Sequence, residues 1–307
     1  MSSFPDQALI EEVATVRGLA ESFVEKDWFV TQVLRLLSEL RYQDFTFIFT
    51  GGTALSKAHG LIQRFSEDID VRVVAPSLAT ISQSQQKKIL SDFKQAVIDQ
   101  LKTVFTNGPT QVIARNSNKF VAIHLDYPTY YPPANALRPH ILLEITVADL
   151  LLPAVPLPVS SFIHQEANKP AEIAQMDCID PVENAVDKLS ALAWRVPSRQ
   201  RGSADDDPAI VRHLHDLAIL SGQAGSHSAF ADLVSSVMVR DEGRAPQLSG
   251  LSTHQRLTKM VTVLKEDREY AKEYDRFVKG MSYAPPAQVP SFQSALSRLT
   301  ELIALLS

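Results

Sequence analysis

A short apolar segment that ends in two glycines constrains the fold of this chain more than any other feature. Residues 45–50 (Phe-Thr-Phe-Ile-Phe-Thr) are all aromatic or β-branched, and they run directly into Gly51 and Gly52. Aromatic and β-branched residues favour strands, and paired glycines allow a tight turn. A short helix from Thr53 to about Gly60 is predicted to follow. We therefore expect a buried strand that turns sharply into a helix.

A second predicted strand, Asp68–Val74, carries two aspartates at alternate positions. Residues i and i+2 of a strand project from the same face, about 6 to 7 Å apart. Two carboxylates placed in this way can share a divalent metal ion, although an exposed edge with two solvated aspartates gives the same pattern. The preceding Gly51-Gly52 turn favours the metal interpretation, because glycine backbone N–H groups at a helix start can approach a phosphate.

Composition and length place the chain among ordinary globular proteins. It has 307 residues, of which 45% are hydrophobic and 21% charged, and the length favours two domains. The single cysteine, Cys178, excludes an internal disulfide and is expected to be a buried, inert thiol. The N-terminus lacks a signal-peptide pattern, and no apolar run reaches the roughly 18 residues of a membrane span. We predict a cytoplasmic protein without membrane association.

The net charge of the chain argues against a broad surface that binds polyanions such as nucleic acids. Lysine and arginine number 30 against 35 acidic residues, which gives a net charge of −5 with neutral histidines. Any contact with nucleic acid must therefore be local and selective.

Hydrophobic periodicity predicts an α+β N-terminal domain with a small mixed sheet, followed by an all-helical C-terminal domain. The predicted boundary lies between residues 178 and 179, after prolines 153, 156 and 158, which indicate a crossing segment. Two helices are expected between Leu9 and Leu40. Asp180 and Pro181 form a favourable helix start. Further strands are predicted at 119–127 and 140–147, and further helices at 83–105, 180–195, 208–221, 228–240, 255–279 and 291–306.

Two strings in the N-terminal half resemble the signatures of a known family. Residues 51–57 (GGTALSK) and 64–70 (RFSEDID) are similar to the GGTxLxK and RxSxDID motifs of the AbiEii toxin nucleotidyltransferases, within the polymerase-β-like superfamily. The resemblance includes Glu25-Lys26-Asp27 and extends to about Gly222. It implies a polymerase-β-like nucleotidyltransferase core for the α+β domain.

Enzymes of this kind usually have a third carboxylate on a neighbouring strand, and Glu144 is the candidate. The surrounding segment 141–147 is otherwise too apolar to be exposed, and an unpaired buried carboxylate is costly. The alternatives are an ion pair between Glu144 and Arg72, or Asp126 as the third ligand. Asp126 is less favoured because Pro128 suggests that its strand is ending.

Two further motifs lie in the helical half. Lys188, Ala191 and Arg195 match the third family motif, which implies that Lys188 reaches the nucleotide triphosphate. From spacing alone, the same pattern describes a solvated helix face.

The second of these motifs is altered in this chain. The string at 212–217 (RHLHDL) resembles the fourth family motif, R-D-x-x-D-L, with His213 in place of the first aspartate and Asp216 in register. The resemblance leaves two roles open for Asp216, which could orient Lys188 or help to deprotonate the acceptor.

The resemblance implies a metal-dependent site with an NTP as substrate. Asp68, Asp70 and Glu144 would hold Mg²⁺ or Mn²⁺, and the catalytic residues would be Asp68, Asp70, Lys188 and Asp216. Ser66 is included because strand alternation would place its hydroxyl beside the two aspartates, although a local hydrogen bond explains it equally well. The candidate nucleotide contacts are Gly51, Gly52, Thr53, Ser56, Lys57, Arg64, Ser66 and Arg195.

The resemblance also implies a biological role. AbiEii proteins are toxins of toxin–antitoxin or phage-defence pairs, so we expect a cognate antitoxin and NMP transfer to an RNA such as the tRNA 3′ end. One alternative is a nucleotidyltransferase acting on a small molecule or a protein side chain. Another is an inactive, nucleotide-binding interaction protein.

Overall fold

The computed structural model describes residues 4–134, 137–204 and 206–306, which divide into two compact units. The sheet unit comprises Met1–Gly60 and Phe65–Ile179, and the helical unit comprises Leu61–Arg64 and Asp180–Ser307. The short segment 61–64 thus belongs by its contacts to the helical unit, although its neighbours in sequence belong to the sheet unit.

A mixed sheet forms the centre of the sheet unit. Among the described residues its seven strands are β1 Thr46–Thr50, β2 Asp68–Val74, β3 Pro109–Arg115, β4 Phe120–Leu125, β5 Ile141–Val147, β6 Val155–Val159 and β7 Ile173–Cys178. They are arranged in the order β3-β4-β5-β2-β1-β7-β6. Strand β2 pairs antiparallel with β1 and parallel with β5, so both predicted aspartates lie on a central strand.

Five α-helices of the sheet unit are described. They are α1 Gln7–Arg17, α2 Glu21–Glu39, α3 Gly51–Lys57, α4 Gln83–Lys102 and α5 Phe162–Glu166. Gly18 ends α1 with a left-handed backbone (φ 63°), which glycine adopts without strain. Ser82 and Gln85 form a reciprocal capping box that begins α4.

The two faces of the sheet differ in chemistry. Ile69, Val71 and Val73 of β2 are at most 2% exposed and lie on the apolar face. Phe47 of β1 shares that face and contacts Phe93 of α4, with 5.7 Å between ring centroids. Because strand residues alternate, Asp68, Asp70 and Arg72 project from the opposite face.

The helical unit contains six described α-helices: α6 Pro181–Ser198, α7 Val211–Ser226, α8 Phe230–Arg240, α9 Thr253–Glu266, α10 Glu269–Met281 and α11 Phe292–Ala304. Helix α6 packs against α7, α8 and α9. As predicted, Pro181 occupies its first turn and the Asp180 carboxylate accepts a hydrogen bond from the Val182 N–H at 2.7 Å. None of the described helices is long and apolar enough to span a membrane.

The predicted fold class is confirmed, but the sheet is larger than predicted. Strands β3, β6 and β7 were not predicted. Pro156 and Pro158 lie in β6, which is an edge strand and can therefore accommodate residues that lack an N–H. The single helix predicted at 255–279 is two helices, because Asp267 interrupts it with an extended backbone and accepts a hydrogen bond from the Glu269 N–H.

Candidate active site

Three carboxylates share one face of the sheet. Asp70 lies opposite Glu144 across the parallel β2–β5 pair, and Asp68 is two residues before Asp70 on β2. All three side chains are half-buried. Asp126, the alternative third ligand, is exposed just beyond the end of β4. Within the described part of the chain, no three His, Cys, Asp or Glu side chains are grouped closely enough to hold a metal ion without rearrangement.

Arg72, the alternative partner considered for Glu144, lies on the same face of the sheet. It is 8% exposed, and its guanidinium donates a hydrogen bond to the Asp149 carbonyl at 3.3 Å. The carboxylate face therefore also carries a cation on β2.

Gly51 brings the turn directly against Asp70. Its backbone is left-handed (φ 74°), and a Cβ added there would lie 2.0 Å from Asp70 Oδ2, far inside contact distance. Any side chain at this position would displace the carboxylate, so glycine is required for both its conformation and its small size. Gly52 follows and is buried. The strand, turn and helix predicted from the sequence therefore meet at Asp70.

Helix α3 is joined to β2 by a second contact. The Thr53 hydroxyl donates a hydrogen bond to the Asp68 carbonyl oxygen, and Thr53 is fully buried. Ser56 donates its hydroxyl to the Thr53 carbonyl at 3.1 Å. Thr53 thus positions the backbone of Asp68, while contacts of Thr53 and Ser56 with a nucleotide stay predictions.

Lys57 forms a buried ion pair within the sheet unit. Its Nζ lies 2.5 Å from Asp27 Oδ1, and the two side chains are only 4% and 3% exposed. The second Asp27 oxygen accepts a hydrogen bond from the Phe162 N–H at 2.7 Å. Burial raises the pKa of Asp27, and the nearby Lys57 ammonium opposes that rise. Lys57 therefore fastens α3 to α2, and its contact with a phosphate stays a prediction.

Glu25 and Lys26 of α2 contact two neighbouring segments. Glu25 binds the loop after β4, and Lys26 pairs with Glu67, the residue before β2. Glu25 accepts hydrogen bonds from the Thr129 hydroxyl and, at 2.7 Å, from the Tyr130 N–H. Lys26 is fully buried and forms an ion pair with Glu67. Burial lowers the pKa of Lys26, and Glu67 opposes that fall. Sequence reasoning noted these charges only as part of a motif. The signal for their structural role was a run of three charged residues with apolar residues directly before and after it.

Arg138 and Ser66 lie next to the aspartates in different ways. Arg138 Nη1 donates to Asp68 Oδ1 at 2.5 Å, a contact that the sequence did not indicate. Ser66 is half-buried and precedes β2, which begins at Asp68. Strand alternation therefore does not fix the direction of the Ser66 side chain, and its contact with a nucleotide stays a prediction.

In the helical unit, Asp216 is the anion of a buried triad. Arg64 contacts it through two parallel hydrogen bonds of 2.7 Å, and Lys188 Nζ lies 3.0 Å from its Oδ2. Asp216 is 0% exposed. Burial opposes its ionisation, but Arg64 and Lys188 outweigh that effect and hold the pKa of Asp216 well below its usual range. A carboxylate so stabilised is a poor base, so the contacts favour the role of orienting Lys188.

Arg64, predicted as a phosphate contact, is therefore placed in a structural ion pair. It is 2% exposed, and its guanidinium lies 5.5 Å from the centroid of the Phe277 ring. Its role as a direct nucleotide contact stays a prediction.

Arg195 and Arg212 share one carboxylate. Their Nη1 atoms lie 3.4 and 3.0 Å from Asp207 Oδ2. Burial opposes the ionisation of Asp207, but Arg212 and Arg195 outweigh it and lower its pKa. Both cations lie on the helices that carry Lys188 and Asp216, and a nucleotide contact of Arg195 stays a prediction.

His213 occupies the position where the fourth motif has an aspartate. Its Nδ1 is buried and has no hydrogen-bond partner among the described residues, while the residue as a whole is half-buried. Burial, together with Arg212 and Lys188, keeps the pKa of His213 well below its usual range. The ring is therefore neutral, and the helical unit lacks the negative charge that an aspartate would supply.

A comparison with known proteins shows which family the chain belongs to. Residues 35–298 match the family model described as nucleotidyl transferase AbiEii toxin, type IV toxin–antitoxin system. The chain belongs to the AbiEii family. The match covers most of both units and continues well past Gly222, where the motif resemblance ended, but it begins after Glu25-Lys26-Asp27.

A solved structure supports the same fold. The chain is similar to MenT4, a nucleotidyltransferase toxin from Mycobacterium tuberculosis H37Rv, with a TM-score of 0.55 and 17% sequence identity. The similarity covers 98% of this chain and 99% of MenT4. No curated protein matches in sequence. Membership of the AbiEii family makes the chain a nucleotidyltransferase of the toxin–antitoxin type and implies a cognate antitoxin.

Proposed function

We propose that this AbiEii protein transfers an NMP from an NTP to an RNA acceptor such as a tRNA 3′ end, and that it requires Mg²⁺ or Mn²⁺. The observation that carries the proposal is the approach of Gly51 to Asp70, which in turn lies in register with Glu144. Family membership supports the reaction class. The RNA acceptor is carried over from the family resemblance, and the metal is inferred from the carboxylate oxygens of the site.

The chemistry of the donor set suits a hard divalent cation, although these carboxylates must move closer together to hold one. Asp68, Asp70 and Glu144 present only carboxylate oxygens from one face, and Mg²⁺ and Mn²⁺ prefer oxygen ligands. The absence of a side chain at Gly51 leaves the Asp70 carboxylate undisplaced. A bound ion would supply charge neutralisation and polarisation of phosphoryl oxygens.

The residues of the chain supply position and charge. The Gly51-Gly52 turn places its backbone next to the Asp70 carboxylate. Lys188, held by Asp216, would neutralise charge on the departing pyrophosphate. Thr53 keeps the backbone of Asp68 in place through its hydroxyl.

An RNA acceptor is compatible with a net charge of −5 only if few phosphates are contacted. A single-stranded 3′ end meets that condition, because it needs a few cations and a surface on which a base can stack.

The test is a transfer assay with each of the four labelled NTPs, Mg²⁺ and total RNA, followed by location of the label. We expect label at an RNA 3′ end with one or more NTPs. Asp70→Asn should abolish transfer, whereas Asp99→Asn, on the exposed side of α4, should leave it unchanged. Label on protein or on a small molecule would replace the RNA proposal. No label with any NTP would favour an inactive nucleotide-binding protein.

A further inference from the structure

The Arg138 guanidinium forms an ion pair with Asp68, one of the three carboxylates proposed as metal ligands. Arg138 Nη1 lies 2.5 Å from Asp68 Oδ1, and the two side chains are 44% and 25% exposed. An ion pair this exposed is weak, because water and salt screen it and the long arginine side chain loses conformational freedom. Something else must therefore keep Arg138 at this position.

The backbone of Arg138 is fixed on both sides by a buried ion pair. Its N–H donates to Glu67 Oε2 at 2.8 Å, and its carbonyl accepts from Lys26 Nζ at 2.8 Å. Lys26 and Glu67 pair with each other and are 0% and 8% exposed. An exposed residue is thus held by two buried charges, and the second of them directly precedes Asp68 in the chain.

This arrangement gives Asp68 a cation in the absence of metal. The guanidinium contacts Asp68, which shares its face of the sheet with Asp70 and Glu144, so it reduces repulsion among the carboxylates. A divalent ion bound to Asp68 would compete for the same oxygen. On the basis of the proposed function, we propose that Arg138 is a positioning residue that holds the Asp68 carboxylate before metal binds and is displaced from it by Mg²⁺.

Binding of Mn²⁺ alone to the full chain tests this competition. Free Mn²⁺ is followed by electron paramagnetic resonance in wild type, Arg138→Gln and Arg115→Gln. Removal of a half-exposed competing cation should tighten Mn²⁺ binding about threefold to fivefold in Arg138→Gln. Arg115 is exposed on the edge strand β3 and does not contact Asp68, so its variant should bind Mn²⁺ as wild type does.

Side-chain NMR of ¹⁵N-labelled arginine tests the displacement directly. It separates loss of the Arg138–Asp68 contact from a general change in the charge of the protein. The Arg138 Nε–H resonance is assigned by its loss in Arg138→Gln. Addition of Mg²⁺ to wild type should shift it to the position that it takes in metal-free Asp68→Asn.

The outcomes separate the two proposals. If wild type and Arg138→Gln bind Mn²⁺ equally, or if Mg²⁺ binds and the Arg138 resonance stays in place, the displacement is wrong and the metal site stands. If no protein binds Mn²⁺, the metal part of the proposed function fails together with this inference.

Discussion

At the scale of single residues, Gly51 combines a left-handed backbone with a close approach to Asp70. A second glycine with a similar backbone, Gly60, allows the effect of backbone strain to be separated from the effect of the close approach. Gly60 has a similar backbone (φ 63°), but a Cβ there would meet nothing within 4 Å. Alanine at either position should cost about 1 kcal/mol or more in unfolding free energy, because L-residues are strained in this region. Gly51→Ala should also lose NMP transfer, while Gly60→Ala keeps it.

Urea denaturation and the transfer assay provide both measurements. Equal activity in the two alanine variants would mean that the position of Asp70 does not matter to the reaction.

Asp216 should be essential to the stability of the helical unit. Asp216→Asn leaves Arg64 and Lys188 buried without a matching anion, so we expect unfolding free energy to fall by about 3 to 5 kcal/mol. Asp187→Asn is the control, because Asp187 pairs with Arg240 and both are partly exposed. The control should lose no more than about 1 kcal/mol in urea denaturation. Similar losses in both variants would contradict the buried triad.

The same carboxylate predicts a pH dependence of stability. The folded-state pKa of Asp216 lies below the unfolded value, so its stabilisation is present above the unfolded pKa of about 3.9 and is lost as pH falls through the folded pKa. The stability difference between wild type and Asp216→Asn should therefore be constant from pH 7 to about 5 and shrink in stronger acid. Urea titrations at several pH values measure it, and a difference that grows in acid would refute the assignment.

A sequence reveals a site residue when the contacts of that residue are local along the chain, and it does not when the contacts join distant positions. Asp68 and Asp70 could be placed on one face because alternation along a strand is local. Arg64 was predicted at a phosphate, yet its partner Asp216 lies 152 positions away, and no periodicity reports such a contact.

At the scale of elements, α2 joins several segments through consecutive charges. Lys26→Met would leave Glu67 buried with its ammonium partner removed, so we expect a loss of about 3 kcal/mol or more. The double variant Lys26→Met/Glu67→Met removes both charges and should recover part of that loss. A double-mutant cycle in urea measures the coupling, and strictly additive losses would show that the pair is not coupled.

The elements that the sequence predicted are those with strong local patterns. Helices α1, α2 and α4 and strands β2, β4 and β5 follow from sequence patterns along the chain, and β1 follows from its aromatic and β-branched residues. Strand β6 was missed because its prolines resemble a loop. The break at Asp267 was missed because the charged segment around it contains no glycine or proline. The edge position of a strand is a tertiary fact that composition does not encode.

At the scale of the whole molecule, a net charge of −5 limits how an RNA acceptor can bind. If only two or three phosphates are contacted, the logarithm of RNA affinity should fall with the logarithm of salt with a slope of about −2 or shallower. The KM for RNA measured between 50 and 200 mM KCl gives that slope. A slope steeper than about −5 would require an extended basic surface and would contradict the composition argument.

The short segment 61–64 has a consequence for how such proteins can diversify by recombination. The Gln63 carbonyl accepts a hydrogen bond from the Tyr283 N–H at 3.1 Å, and Arg64 forms a strand bridge with Ser282 besides its pair with Asp216. A single crossover near residue 180 would take segment 61–64 from one parent and all three partners from the other. If relatives exchange their helical units, we therefore expect folded chimaeras only when segment 61–64 is exchanged together with the helices. Segment 61–64 and the residues after 180 should then be inherited together.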